Sequence, residues 1–276
     1  MRAAAGVAKP QWEYVPEGWS RAYSDESITG WDVEAVAERH RQLWPLWTRA
    51  LEGNGMLGVD FWCPMRALDG GGQPVFTDYP WAHNAAMSFG YVIARAAHGK
   101  DTLSVLDFGG GIGQFAPLAR ALLPEVEIDY HVAETPTMCS LGSELNPGAH
   151  FHDSRGDDWE QRRYDLTLAS GALQCTEHWQ DNLARIARVA SGHVFLSRVP
   201  VVFSTPTFVV LQRAESYGLG TEFLGWYINR EELLETASGT GLALEREFVM
   251  MDHTPAVGAP EQATYRGFLF RPVPPG

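Results

Sequence analysis

Asp107 is followed by Gly109, Gly111 and Gly113 at alternate positions, directly after the apolar run that begins at Leu103. A strand leading into a glycine turn and then a helix suits a nucleotide. Glycine lets the backbone turn tightly and approach a ligand, and the helix start offers free N–H donors and partial positive charge. The dinucleotide pattern G-x-G-x-x-G fails here, because Gln114 stands where the third glycine belongs, and starting at Gly111 meets Ala116 instead. The phosphate-loop pattern G-x-x-x-x-G-K-[ST] is absent. A second acid, Glu134, closes the next strand-like run, Glu127 to Ala133, at the spacing where a carboxylate can accept both hydroxyl protons of a ribose.

The segment Val105-Leu106-Asp107-Phe108-Gly109-Gly110-Gly111-Ile112-Gly113 resembles the first motif of class I S-adenosylmethionine methyltransferases, in which an apolar run and an acid precede G-x-G-x-G. The resemblance implies that Asp107 orients the methionine ammonium and that Gly109, Gly111 and Gly113 lie against the methionine moiety. It assigns Glu134 to the ribose and Asp153, after the short strand His150 to His152, to the adenine amino group. Ser170, Gly171 and Gln174, after the run Tyr164 to Ala169, would border the sulfonium. Across the chain, Trp12 to Trp19, Gly30-Trp31-Asp32, His83-Asn84 and Phe223 to Glu231 resemble a narrower group of bacterial natural-product and surface-sugar methyltransferases. Asn84 is placed with the cofactor because the helix before the first strand lies near the cofactor in the superfamily it resembles.

Methyl transfer from a sulfonium requires an aligned acceptor and exclusion of water. Trp81, Arg198, Trp226 and Tyr227 are the expected acceptor contacts. His83, whose ordinary pKa of about 6.5 suits proton removal near neutrality, is the expected base, with Tyr79 next in line. A small-molecule acceptor follows, methylated on O, N or electron-rich carbon. An aromatic or indole-like natural product is preferred over a sugar because of the aromatic cap. A nicotinamide-dependent oxidoreductase and a non-catalytic cofactor-binding scaffold are the competing readings.

Elements alternate as strand and helix from Leu103 onward, which predicts an α/β parallel sheet covered on both faces; the resemblance implies a Rossmann-like class I methyltransferase fold, a mostly parallel sheet with an antiparallel C-terminal strand, here with an N-terminal helical cap. Strands are expected at Leu103 to Phe108, Glu127 to Ala133, His150 to His152, Asp165 to Ala169 and His193 to Arg198, and an antiparallel pair at Leu244 to Met251 and Thr264 to Arg271. Helices are expected at Trp81 to His98, Gln114 to Leu123, Pro136 to Leu145 with Thr135 as cap, Trp179 to Val189, and after Asn229, where Glu232 completes a capping box. Residues 1–80 hold Trp12, Trp19, Trp31, Trp44, Trp47, Trp62 and Trp81 just beyond, out of 10 tryptophans in all, and read as a lid on a methyltransferase domain at 81–276. Pro45 should kink or divide the helix expected between Trp31 and Leu51.

Of the 276 residues 45% are hydrophobic, enough for a buried core, and the formal charge of -13 with no basic run argues against nucleic acid. No apolar stretch reaches the roughly 20 residues of a membrane span, and the N-terminus lacks a signal-like apolar region, so a cytoplasmic protein is expected. Cys63, Cys139 and Cys175 give neither a disulfide framework nor a zinc pattern, and His150, His152 and Asp153 lack zinc-hydrolase spacing, so no metal is expected. The aromatic cap predicts an apolar patch and hence a homodimer.

Overall fold

The computed structural model describes residues 10–52, 57–62, 80–214 and 219–273. Five successive parallel strands begin the sheet: β2 (Thr102–Phe108), β3 (Glu127–Glu134), β4 (His150–Asp153), β5 (Tyr164–Ser170) and β6 (Ala190–Val202). Their order is β4-β3-β2-β5-β6, with ladders such as Leu106↔His131, Asp107↔Leu168 and Ala133↔His152. The expected C-terminal pair is present as β9 (Leu242–Thr254) and β10 (Ala263–Pro272). β10 lies antiparallel between β6 and β9. Strands β2, β5 and β6 are apolar on both faces, as helices packed on either side require.

One face carries α1 (Glu34–Glu52), α3 (Pro80–Ala97), α4 (Phe115–Leu122) and α5 (Pro136–Leu145), whose Val36, Trp47, Phe89, Ile93, Phe115 and Leu141 share a core with Val105 and Val132. The other face carries α6 (Trp179–Val189) and α7 (Arg230–Gly239), which bury Leu183, Ile186 and Leu233 against Leu106, Ala169 and Leu196. A short helix, α2 (Leu57–Trp62), packs on α3. Helix α1 continues through Pro45, so the expected division does not occur. Burial of Val36, Ala37 and Trp47 on either side of the proline holds the helix together where one backbone hydrogen bond is lost.

Two caps show how side chains set these boundaries. Asn229 accepts from the backbone N–H of Glu231 at 2.9 Å and of Glu232 at 3.2 Å, as its position predicts. The returning half of the capping box is relayed: Asn229 N–H donates to the Thr207 hydroxyl, which donates to Glu232. Thr135 has the extended backbone of an N-cap and Pro136 follows it, but its hydroxyl makes no capping bond.

The sequence reading lacked a second wing of the sheet. β7 (Phe208–Arg213) and β8 (Glu222–Asn229) are antiparallel, and β1 (Trp12–Val15) adds to β7, so the N-terminal segment is woven into the structure. β6 joins the wings. Its pairing with β5 ends at Ser170↔Ser197, and β8 takes over at Val201↔Ile228. Against β10, three steps of β6 from Leu196 to Val199 oppose two from Phe268 to Arg266, a bulge. Arg198 lies in that bulge with φ 56, a positive φ in a non-glycine residue. Bulges beside active sites re-aim side chains in this way. Among the described residues, no helix is long and apolar enough to cross a membrane.

Candidate functional site

The carboxyl ends of β2, β3 and β5 meet at the glycine turn, where open parallel sheets place their ligands. Gly109, Gly111 and Gly113 all have positive φ, between 59° and 72°. Their missing side chains serve different ends. A Cβ on Gly109 would meet that of Ala172 at 2.3 Å, and one on Gly113 would meet the Asn146 amide at 2.9 Å. Gly110, outside the motif's alternate glycines, is equally constrained: its Cβ would lie 2.4 Å from the Asp107 carboxylate. Around Gly111 the neighbours are the ends of two side chains, Gln114 at 3.2 Å and His40 at 3.4 Å. Asn146 fastens the turn by donating to the carbonyls of Ile112 and Gly113.

Asp107 is fully buried, and burial pushes its carboxyl up to about 8, with nearby Glu134 adding to the rise and the Tyr130 hydroxyl and Arg198 opposing it. Tyr130 donates to Oδ2 at 2.9 Å, whereas Oδ1 has no hydrogen-bond partner. Glu134 accepts from Gly111 N–H at 3.0 Å and Thr135 N–H at 2.7 Å, and burial also raises its carboxyl. Asp153 lies opposite Glu134 in the β3–β4 register, but is exposed and clasped by the backbone and guanidinium of Arg155. Asp32, from the Gly30-Trp31-Asp32 segment, accepts from Thr137 N–H and lies within 3.9 Å of Arg155.

Beside the crevice is a cavity of about 490 Å³ lined by Trp12, Trp31, Trp81, Trp226, Tyr227 and Tyr265, among others. Gly171, Gln174, Cys175 and Arg198 form its wall nearest the strand ends. Trp226 is fixed from two directions: it stacks on Trp19 at 5.4 Å, and its indole N–H donates to the Thr176 carbonyl at 3.0 Å. Arg198 donates to both the carbonyl and the hydroxyl of Ser170 and lies over the Trp62 ring at 5.1 Å. Burial pushes the Cys175 thiol up to about 12, so it is a neutral wall and not a nucleophile.

The expected acceptor contacts Trp81, Arg198, Trp226 and Tyr227 therefore converge on one cavity. Asp107, the three glycines and Glu134 converge on the adjoining turn. Ser170 joins the two through Arg198. His83 does not join them. It is exposed on α3 and is not among the described residues lining the cavity, because that turn of the helix directs Trp81 inward and His83 outward. Asn84, expected with the cofactor, donates its amide to the Met250 carbonyl at 3.3 Å and braces α3 against β9. Tyr79 and Cys63 lie outside the described residues. His40, Asn146 and Tyr130 were missed, since each reaches the turn from another element, and Gln114, beside Gly113, was read only as breaking the dinucleotide pattern. The Gly30-Trp31-Asp32 segment was the available signal that the N-terminal region touches the site.

The histidines set aside as metal ligands do assemble, with a different partner set. His131 stacks between His150 and His152, and Asp129, His131 and His150 offer ligand atoms within 4.8 Å of one another. Arg162 already donates to Asp129 at 2.6 Å and lies 2.8 Å from His131 Nε2, so its guanidinium supplies the cation there.

The residues around the turn fit S-adenosylmethionine on an independent observation. Four buried polar atoms without partners, on Trp62, Asp107, Gln114 and Gln174, belong to residues of the crevice and the cavity wall. Buried polar groups are ordinarily paired, so such a concentration marks a place shaped for a ligand.

The sequence matches no family profile and no curated protein. Among solved structures, the chain is similar to one from Galdieria sulphuraria assigned as a sarcosine dimethylglycine methyltransferase (14% identity, 73% of this chain and 89% of that one, TM-score 0.50). It also matches the 1,6-didemethyltoxoflavin-N1-methyltransferase of Burkholderia thailandensis (20% identity, 79% and 87% covered, TM-score 0.43). An amino pentose methyltransferase from Micromonospora echinaspora matches as well (16% identity, 76% and 96% covered, TM-score 0.45). The strand order, the antiparallel β10 and the first of these likenesses agree: the chain has the class I S-adenosylmethionine methyltransferase fold.

Proposed function

We propose that this protein is an S-adenosylmethionine-dependent methyltransferase acting on O, N or electron-rich carbon of a small, planar aromatic or heteroaromatic molecule. The observation that carries the reading is the aromatic cavity of about 490 Å³ that adjoins the glycine turn. When bound, S-adenosylmethionine supplies an electrophilic methyl on a sulfonium. Asp107 Oδ1 is the acceptor for its ammonium, an ion that would hold the carboxyl deprotonated. Glu134 suits the ribose hydroxyls and Asp153 the adenine amino group, once Arg155 yields one of its bonds.

On the acceptor side, Trp31, Trp81 and Trp226 give flat faces that bind and orient a ring and exclude water. The Gln174 carbonyl oxygen, buried and without a partner, accepts a hydrogen bond from an O–H or N–H of the acceptor. Arg198 keeps the end of β5 rigid through Ser170. Trp12 and Trp31, which line the cavity, support a lid role for the N-terminal region.

Calorimetry with S-adenosylhomocysteine and NAD, followed by mass spectrometry of reactions with indoles, phenols, heteroaromatic amines and sugars, tests the proposal. Binding of the sulfur ligand and a gain of one methyl on an aromatic acceptor are expected. Stronger binding of NAD would overturn the methyltransferase reading, and a sugar as the sole methylated class would overturn the aromatic one.

A further inference from the structure

His40 reaches the glycine turn from a part of the chain that the nucleotide motif does not include. Its Nδ1 lies 2.8 Å from the Val36 carbonyl on the same helix, a contact that an N–H must donate. The neutral ring therefore carries its lone pair on Nε2. That atom lies 3.4 Å from the Cβ position of Gly111, next to the Gln114 amide. Burial holds the imidazole below its ordinary range, with Arg39 adding to the effect, and the Trp47 ring lies 5.8 Å away.

Charged groups adjoin this spot from three elements. Asp107 on β2 packs against Gly110, Glu134 on β3 accepts from Gly111 N–H, and Arg39 precedes His40 on α1. The Arg41–Glu144 pair between α1 and α5 is exposed. Asp107 and Glu134 are acids and suit the ammonium and the ribose hydroxyls, so the carboxylate of the same ligand needs a different partner. Of the two side chains against the Gly111 position, the imidazole is the one that can become a cation.

We propose that His40 receives the carboxylate of the methionine moiety and takes up a proton as it does so. The inference rests on the methyltransferase reading. In the free protein the ring stays neutral and its desolvation costs little. An arriving carboxylate stabilises the imidazolium; a solvent proton adds to Nε2, Nδ1–H keeps its bond to Val36, and the pair N–H⁺···⁻O forms beside the positive end of α4. Cofactor capture is thereby linked to pH through a residue of the N-terminal helix.

Titration calorimetry in buffers of different ionisation enthalpy at about pH 6.5, where an α-amine beside a carboxamide is still an ammonium, counts the protons exchanged as S-adenosylhomocysteine binds. Asp107 loses its proton to the buffer as the ligand's ammonium arrives, so the informative quantity is a difference. The carboxamide of S-adenosylhomocysteine keeps the ammonium and lacks the carboxylate. Wild-type protein should take up about one proton more with the acid than with the amide and bind the acid roughly 10- to 100-fold more tightly. His40→Gln should bind both equally and abolish the difference in protons. Equal proton counts for acid and amide in the wild type, or an undiminished difference in His40→Gln, would overturn the role of His40. No binding of either compound would overturn the methyltransferase reading itself, which separates the two failures. The wild-type comparison stands even where the variant does not fold.

Discussion

The crevice at the glycine turn takes Asp107, Gly109, Gly110, Gly111, Gly113 and Glu134 from one β-turn-α-β unit, whereas the cavity beside it takes Trp12, Trp31, Trp81, Trp226 and Tyr265 from nearly the whole chain. The difference is physical. A crevice built on backbone needs short-range conditions: glycines at positive φ and an acid at each strand end. A cavity built on side chains needs only that large flat residues arrive there, and strands far apart in sequence deliver them. The first region should therefore fail through the backbone and lose everything, and the second should fail by degrees.

The largest effect is expected at Gly110. In Gly110→Val the Cβ would sit 2.4 Å from a carboxylate that is short, buried and tied to Tyr130, so neither side can give way. Calorimetry should detect no binding of S-adenosylhomocysteine, and the melting temperature should fall by several degrees. Retained affinity would show that the turn is more compliant than its packing implies. Trp226→Ala should instead leave cofactor affinity within about twofold while raising the acceptor's KM by about tenfold or more, as expected for removal of an aromatic contact from a pocket. If cofactor affinity fell equally, the two regions would be one cooperative site.

The same contrast explains what could be read from the sequence. The β2-turn-α4 unit and Glu134 were legible because their determinants are adjacent along the chain. Trp81, Arg198, Trp226 and Tyr227 were named as acceptor contacts, yet the wing that supplies Trp226 and Tyr227 was not seen. β1 has only four residues, and β7 is buried at every position, so neither shows an alternating pattern. His40 was illegible for the same reason: its partner Gly111 lies on a distant element, and no local rule relates the two. The bulge at Arg198 depends on the change of neighbour from β5 to β8, a tertiary condition.

A smaller effect is expected from pH. With its carboxyl raised to about 8 in the folded state, Asp107 holds a proton that the unfolded chain releases in the ordinary carboxylate range. Below that range both states are protonated; between it and about 8 only the folded state is, so stability declines as pH rises through this window. Asp107→Asn should flatten the decline. Melting temperatures from about pH 5 to 9 should show the variant gaining on wild type as pH rises, while its affinity for S-adenosylhomocysteine falls. A parallel pair of curves would mean that Asp107 is ionised in the free protein.

The smallest effect is expected at His83, and it bears on how the acceptor loses its proton. The residue has the chemistry of a base and precedes the cofactor strand in sequence, but a helix turns its side chains through about 100° per residue. With Trp81 turned into the cavity, His83 two positions on faces solvent. A base must come within hydrogen-bond reach of the proton it removes, or within one water of it. His83→Ala should therefore keep turnover within about twofold of wild type and leave its pH profile unchanged, whereas a general base would be worth roughly 100-fold or more. The Gln174 carbonyl oxygen, which lines the cavity and lacks a partner, is the group placed to orient the acceptor's O–H or N–H. Gln174→Leu should then cost more than His83→Ala in kcat/KM. If the order were reversed, α3 would have to rotate or unwind when the acceptor binds, and the wall of the cavity would be mobile where the crevice is rigid.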